Sequence, residues 1–147
     1  MTFEIKKQLN PYLSNLIVEF IKLHDLHWNV KGKMFPQVHE YTDQLYERMS
    51  SMYDEVAEKI IMQGEKPASK IEDYMKLATI KEEDCDDFTD VQVITIVLED
   101  LKLLRDQAVS IHKNFDEEKN FSVTTMLEDH IIAFEKDIWF LESMIGK

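Results

Sequence analysis

Two pairs of metal-ligand type lie close together in the chain, each spaced four residues apart: His39 with Asp43, and Asp54 with Glu58. At 3.6 residues per turn the four positions fall at about 0°, 40°, 60° and 100° around a helix, so all project from one side. They share a face but not a location. The pair centres are 15 residues apart, which at about 1.5 Å per residue is roughly 22 Å, too far for one coordination sphere. Two copies of the helix, antiparallel across a twofold axis near Arg48 and Met49, would set the His39/Asp43 pair of one chain against the Asp54/Glu58 pair of the other. That makes two equivalent sites per dimer, with Met49, Met52 and Tyr53 at the centre of the interface. His27, on the buried side of the preceding helix, completes each site. Two imidazoles and three carboxylates suit iron or manganese better than the thiolate-rich sites of zinc or copper(I), and redox chemistry of iron is the leading reading.

Each residue alone has a plainer explanation. A histidine on an apolar stripe is usually a satisfied core group, and acidic residues at i, i+4 are usually a solvated face. The set weighs more than its members because like charges at i, i+4 destabilise a helix by about 0.2–0.5 kcal/mol. Carboxylates near a Met-rich seam cost more still unless a cation offsets them.

Helices must position these groups. Leu9, Leu13, Leu16, Phe20, Leu23, His27 and Val30 form one helical stripe, broken by Gly32 and Pro36. A second stripe runs Val38, Leu45, Met49, Met52, Val56 and Ile60 until Gly64 stops it. Ser69 with Glu72 signals a capping box for a short helix to about Ala78, and the acidic run 82–87 reads as a solvated connection. Thr89 with Gln92 gives another capping box before Val91, Ile94, Leu98, Leu101, Arg105, Ala108, Ile111 and Phe115, a helix ending near 114–120. The last stripe is Val123, Met126 or Leu127, Ile131, Phe134, Ile138, Leu141 and Ile145, ending at Gly146. Four long helices with a long, helix-containing connection between the second and third predict an all-α, ferritin-like four-helix bundle, one domain over residues 1–147.

Composition narrows the function. Among 147 residues there are three glycines and three prolines, too few for the many turns of a sandwich or barrel. The lone Cys85 excludes CxxC chemistry and fits a reducing compartment. No apolar run is long enough for a membrane helix, and the opening MTFEIKKQLN has no leader-like core, so a cytoplasmic protein is expected. The net charge of −12 disfavours nucleic acid as a partner. There is no ExxH, so a di-iron centre inside the bundle lacks its ligands and the site belongs between subunits. Neither HExxH, GxGxxG, a P-loop nor a nucleophile elbow occurs.

The run His27-Trp28-Asn29-Val30-Lys31-Gly32, then His39, Asp43 and Asp54-Glu55-Val56-Ala57-Glu58, resembles the Dps family of miniferritins, DNA-binding proteins from starved cells. The likeness continues through Leu103-Leu104-Arg105-Asp106 to Ile138-Trp139. The resemblance implies a hollow homododecamer that oxidises Fe²⁺, preferably with hydrogen peroxide, and stores the ferric product. It implies a ferroxidase centre of His27, His39 and Asp43 from one subunit with Asp54 and Glu58 from its twofold mate. Glu58 is then the candidate for the tighter iron and Asp54 for a supporting or bridging role, with zinc or manganese as competitors. Trp28, beside the site, either gives an electron to a strong oxidant or simply packs. Asp116, Glu117, Glu118, Glu128 and Asp129 are candidates for threefold pores, and Glu40 with Glu47 for mineral nucleation. Glu65, Glu72 and Asp73 read as solubilising, and His24, His112 and His130 as structural or surface histidines. The chain lacks the Lys/Arg-rich tail with which family members commonly bind DNA, offering only Lys6, Lys7 and Lys147 near its ends. Iron detoxification without DNA compaction is therefore expected. The alternatives are a DNA-protecting shell without significant iron turnover and a structural or secreted interaction protein reusing that shell.

Overall fold

A computed structural model describes residues 4–147; the first three residues of the opening stretch read for a leader lie outside it. The chain runs α1 (Ile5–Asn29), β1 (Val30–Lys31), α2 (Phe35–Met62), α3 (Ile71–Leu77), β2 (Phe88–Thr89), α4 (Asp90–Glu117) and α5 (Phe121–Met144). The four long helices form a ferritin-like bundle, and α3 is the short extra helix in the connection between the second and third of them. Leu16, Leu45, Met49, Leu101, Leu104, Leu127 and Phe134 meet at its centre, all fully buried. No helix among the described residues is long and apolar enough to cross a membrane.

Local chemistry sets the ends of the elements. Gly64 takes a left-handed φ of 87°, and the amides of Gly64 and Glu65 return to the carbonyls of Ile61 and Ile60, closing α2. Thr89 and Gln92 make a reciprocal capping box at the start of α4. The expected Ser69/Glu72 box does not form. Lys70 is the N-cap of α3 and no side chain caps it, because residues 66–70 are drawn out along α1, where Asn10 accepts the Ala68 amide. Val91 also departs from its stripe: it lies half exposed in the first turn of α4, and burial begins at Val93.

The long crossover is pinned by one buried amide. Asn15 donates to Thr79 and Gln107, while its carbonyl accepts the amides of Thr79 and Ile80 at 2.7 and 3.0 Å. A two-residue parallel ladder, Val30 with Phe88 and Lys31 with Thr89, ties the end of α1 to the start of α4. The core also holds charge. Lys22 is paired with Asp100 at 2.8 Å and with Glu83 at 3.3 Å, and Arg48 with Asp137, which also accepts from the Tyr41 hydroxyl.

Glu19 beside Lys22 is fully buried, and neither of its carboxyl oxygens meets a donor. Burial, and next the negative charge of Asp100, push its pKa well above the usual glutamate range. The folded chain therefore keeps a proton that the unfolded chain releases above about pH 4.3, so this group lowers stability as pH rises. Thermal melts should show wild type losing stability relative to Glu19→Gln as pH climbs from about 5 to 8. A difference independent of pH would contradict a protonated Glu19.

Candidate metal centre

The turn between α1 and α2 decides where the imidazoles stand. Gly32 has a φ of 140°, and a Cβ placed there would meet Asp90 Oδ2 at 2.5 Å. That same carboxylate oxygen accepts the Met34 amide at 2.9 Å, so the first residue of α4 holds the turn from outside. Pro36 in the first turn of α2 contributes a preset φ where no N–H partner is needed.

Across this turn the rings of His27 and His39 stack, with centroids 3.7 Å apart and planes 15° from parallel. Hydrogen bonds select the tautomer of each. His39 Nδ1 donates to the His27 carbonyl at 2.9 Å. The Thr42 hydroxyl gives its own proton to the carbonyl of Val38 or His39, so its oxygen accepts from His27 Nδ1 at 3.0 Å. Both Nε2 lone pairs are left for a cation, the arrangement by which outer hydrogen bonds orient a ligating histidine. Burial, and next the neighbouring His39, hold the His27 pKa below the usual histidine range, which favours the neutral, ligating form.

Asp43 lies one turn beyond His39, exposed, and accepts a hydrogen bond from the Tyr46 hydroxyl. Farther along the unbroken α2, Asp54 and Glu58 are exposed, and neither makes a hydrogen bond or ion pair within the described residues. The five expected ligands therefore divide into two groups, His27/His39/Asp43 and Asp54/Glu58, separated by the helical rise. Among the described residues no three His, Cys, Asp or Glu side chains of one chain form a metal-binding group. The donor set fits a hard or borderline divalent cation, but each half is short of ligands.

The expected centre of the twofold interface needs correction. Met49 and Met52 are buried in the chain's own core, and Arg48 is taken up by Asp137. On the helical wheel the methionines lie at about 280° and 220° from His39, with Leu45 and Val56, and not on the ligand face near 0–100°. Tyr53 is half buried against Phe20. Ser50, Ser51, Ala57 and Ile61 lie on the ligand side between and beyond the two halves.

Trp28 is 68% exposed, its ring 5.5 Å from that of His24, which stacks on Tyr46 at 3.8 Å. Thr42 and Tyr46 carried no sequence signal as orienting groups: Thr42 meets His27 across a turn, and Tyr46 reads as ordinary amphipathic filling. Asp116, Glu117 and Asp129 are exposed, while Glu128 is bonded to His112 at 2.7 Å. Glu40 and Glu47 are exposed on α2. His130 is buried between Tyr12 and Glu55.

The chain is similar to known proteins over nearly its whole length. Residues 6–147 match the ferritin-like domain of the ferritin family. The DNA protection during starvation protein of Helicobacter pylori is 34% identical over 99% of this chain and 99% of its own. A solved Dps from Listeria innocua, soaked with zinc, superposes with a TM-score of 0.92 at 30% identity over 97% of each chain. Antigen TpF1 from Treponema pallidum superposes with a TM-score of 0.94 at 26% identity, over 97% of this chain and 92% of its own. The chain belongs to the Dps family of ferritin-like proteins.

Thr42→Val keeps the shape of the side chain and removes the acceptor for His27. Titration of the assembled protein with Co²⁺ should show affinity weakened by roughly 10–100-fold, with the melting curve nearly unchanged. Unaltered affinity would mean that Thr42 does not orient a ligand.

Proposed function

We propose that this protein is a ferroxidase and iron-storage protein, built as a hollow homododecamer, with its oxidation sites between twofold-related chains. The observation that carries this reading is the pair of stacked imidazoles with both Nε2 atoms free, at one end of a helix whose other end bears two unpaired carboxylates. His27, His39 and Asp43 of one chain and Asp54 and Glu58 of its mate together bind the substrate Fe²⁺. Glu58 is the main anchor of the carboxylate half and Asp54 its support or bridge. Two Fe²⁺ give one electron each to hydrogen peroxide, which with two protons becomes two waters, leaving two Fe³⁺ for storage. Exposed Asp116, Glu117 and Asp129 would draw Fe²⁺ toward the pores, and Glu40 and Glu47 would seed mineral. Trp28 is the candidate electron donor at the rim. Zinc and manganese would compete for the same donors.

The relatives' names speak of DNA protection. Here a net charge of −12 per chain argues against winding DNA onto the shell and for protection by removal of Fe²⁺ and peroxide in the cytoplasm.

Two measurements test the reading. Anaerobic Fe²⁺ titration followed by peroxide should give a binding plateau and accelerated oxidation; their absence removes the proposal. His39→Ala and Glu58→Ala proteins should each be nearly inactive alone. Co-expressed, they should recover about a quarter of wild-type turnover, because each mixed dimer regains one site with both halves intact. No recovery would place each site within a single chain.

A further inference from the structure

Outside the metal half-sites, one chain of hydrogen bonds runs from the middle of the core to the surface. The fully buried Tyr12 on α1 bonds through its hydroxyl to His130 Nδ1 at 2.8 Å. His130 on α5, 3% exposed, bonds through Nε2 to Glu55 Oε1 at 2.6 Å. Glu55 stands on α2 between Asp54 and Glu58, and its Cβ is about 5–6 Å from that of Glu58, one turn on. Since Glu55 is an acceptor, the Nε2 proton belongs to His130, Nδ1 keeps its lone pair, and the Tyr12 O–H must donate to it. The sequence pattern gave His130 only a structural or surface role, yet it joins the carboxylate end of the proposed iron site to a buried phenol.

We propose that Tyr12 is a one-electron donor to oxidants formed at the Asp54/Glu58 end of the iron site, with His130 as its built-in proton acceptor. The inference rests on the ferroxidase reading. A site holding a single Fe²⁺ can give peroxide only one electron, yielding Fe³⁺, hydroxide and a hydroxyl radical. Tyr12 supplies the missing electron. Its O–H bond breaks, the proton passes to His130 Nδ1, the radical takes up the electron and a solvent proton to become water, and a neutral phenoxyl radical remains. A later Fe²⁺ returns the electron and is oxidised, while the proton goes back to Tyr12. The sum is again two Fe²⁺ oxidised per peroxide.

Burial makes the proton acceptor necessary. A phenol that lost an electron and kept its proton would be a cation in a low-dielectric core. Transfer to His130 instead creates an imidazolium already facing the Glu55 carboxylate, which fixes its tautomer and stabilises its charge without taking the proton, as the acidic member of a hydrolase triad does. Burial raises the Tyr12 pKa well above the usual tyrosine value and lowers that of His130, so the resting pair is phenol and neutral imidazole. The indole of Trp28, by contrast, makes no hydrogen bond within the described residues and has no such partner.

The test uses the assembled protein loaded with substoichiometric Fe²⁺, mixed with peroxide, freeze-quenched and examined by high-field EPR. A parallel arm oxidises the metal-free protein with photogenerated tris-bipyridyl ruthenium(III). The expected result is a hydrogen-bonded tyrosyl signal in both arms that Tyr12→Phe abolishes, although the chain has five tyrosines. Tyr12→Phe should also release several-fold more spin-trapped hydroxyl radical while iron oxidation continues. Glu55→Gln, a conservative change at a half-exposed position, should shorten the radical lifetime and shift its g-values. Iron oxidation with a tyrosyl signal that survives Tyr12→Phe, or with none at all, overturns this inference and leaves the ferroxidase reading standing. No iron oxidation in the first arm overturns both, whatever the ruthenium arm gives. A radical whose lifetime and g-values ignore Glu55→Gln overturns the role of the His130 relay.

Discussion

An α-helix climbs about 1.5 Å per residue and does not turn back on itself, so α2 holds its imidazole end and its carboxylate end farther apart than side chains can reach. Everything around α2 makes sense as support for that separation. The bundle holds the helix by burying Leu45, Met49, Val56 and Ile60, while Asp43, Asp54 and Glu58 on the opposite side, with Ile61, are left exposed. In the proposed assembly, the two donor sets on one rod would complement each other where a second rod lies antiparallel to it. Isologous symmetry would then make the two proposed composite sites identical without further design.

Orientation of the two imidazoles is a separate problem, solved by neutral hydrogen bonds. The His27 carbonyl and the Thr42 hydroxyl each engage one Nδ1, so that both rings turn the same edge outward. Charged partners would bind protons or cations of their own; a backbone carbonyl and a hydroxyl do not. The interior tolerates full charges elsewhere, at Lys22 with Asp100 and Glu83 and at Arg48 with Asp137, where opposite charges meet directly and satisfy one another.

Much of the architecture was legible in the sequence because helical stripes and helix ends are local. The 3/4 spacing of Leu9 to Val30 and Val38 to Ile60, the Thr89/Gln92 box and Gly64 all report on their own neighbourhood, and the structure bears them out. The common helix face of His39, Asp43, Asp54 and Glu58 on α2 was readable for the same reason. What escaped depends on distant partners. Asn10 and Asn15 hold the crossover from more than fifty residues away, and the displaced start of α3 follows from that grip and not from Ser69. Met49 and Met52 belong to the apolar stripe of Leu45 and Val56 and are spent on the chain's own core, so their polarisability is no guide to an interface. Glu19 and Lys22 sit on a helix otherwise read for its apolar stripe, and nothing local marks a carboxyl whose burial raises its pKa.

The clamp that Asp90 places on the α1–α2 turn has a consequence for the order of folding. His27 and His39 are twelve residues apart, and an antiparallel helical hairpin of such short sequence separation closes quickly, since little chain entropy opposes it. Asp90 reaches Met34 across fifty-six residues, so that closure waits for the whole crossover to find its track along α1. A newly made hairpin thus brings its two imidazoles together early and gains a rigid bend late, when α4 docks and the carboxylate slides into the space that Gly32 leaves open.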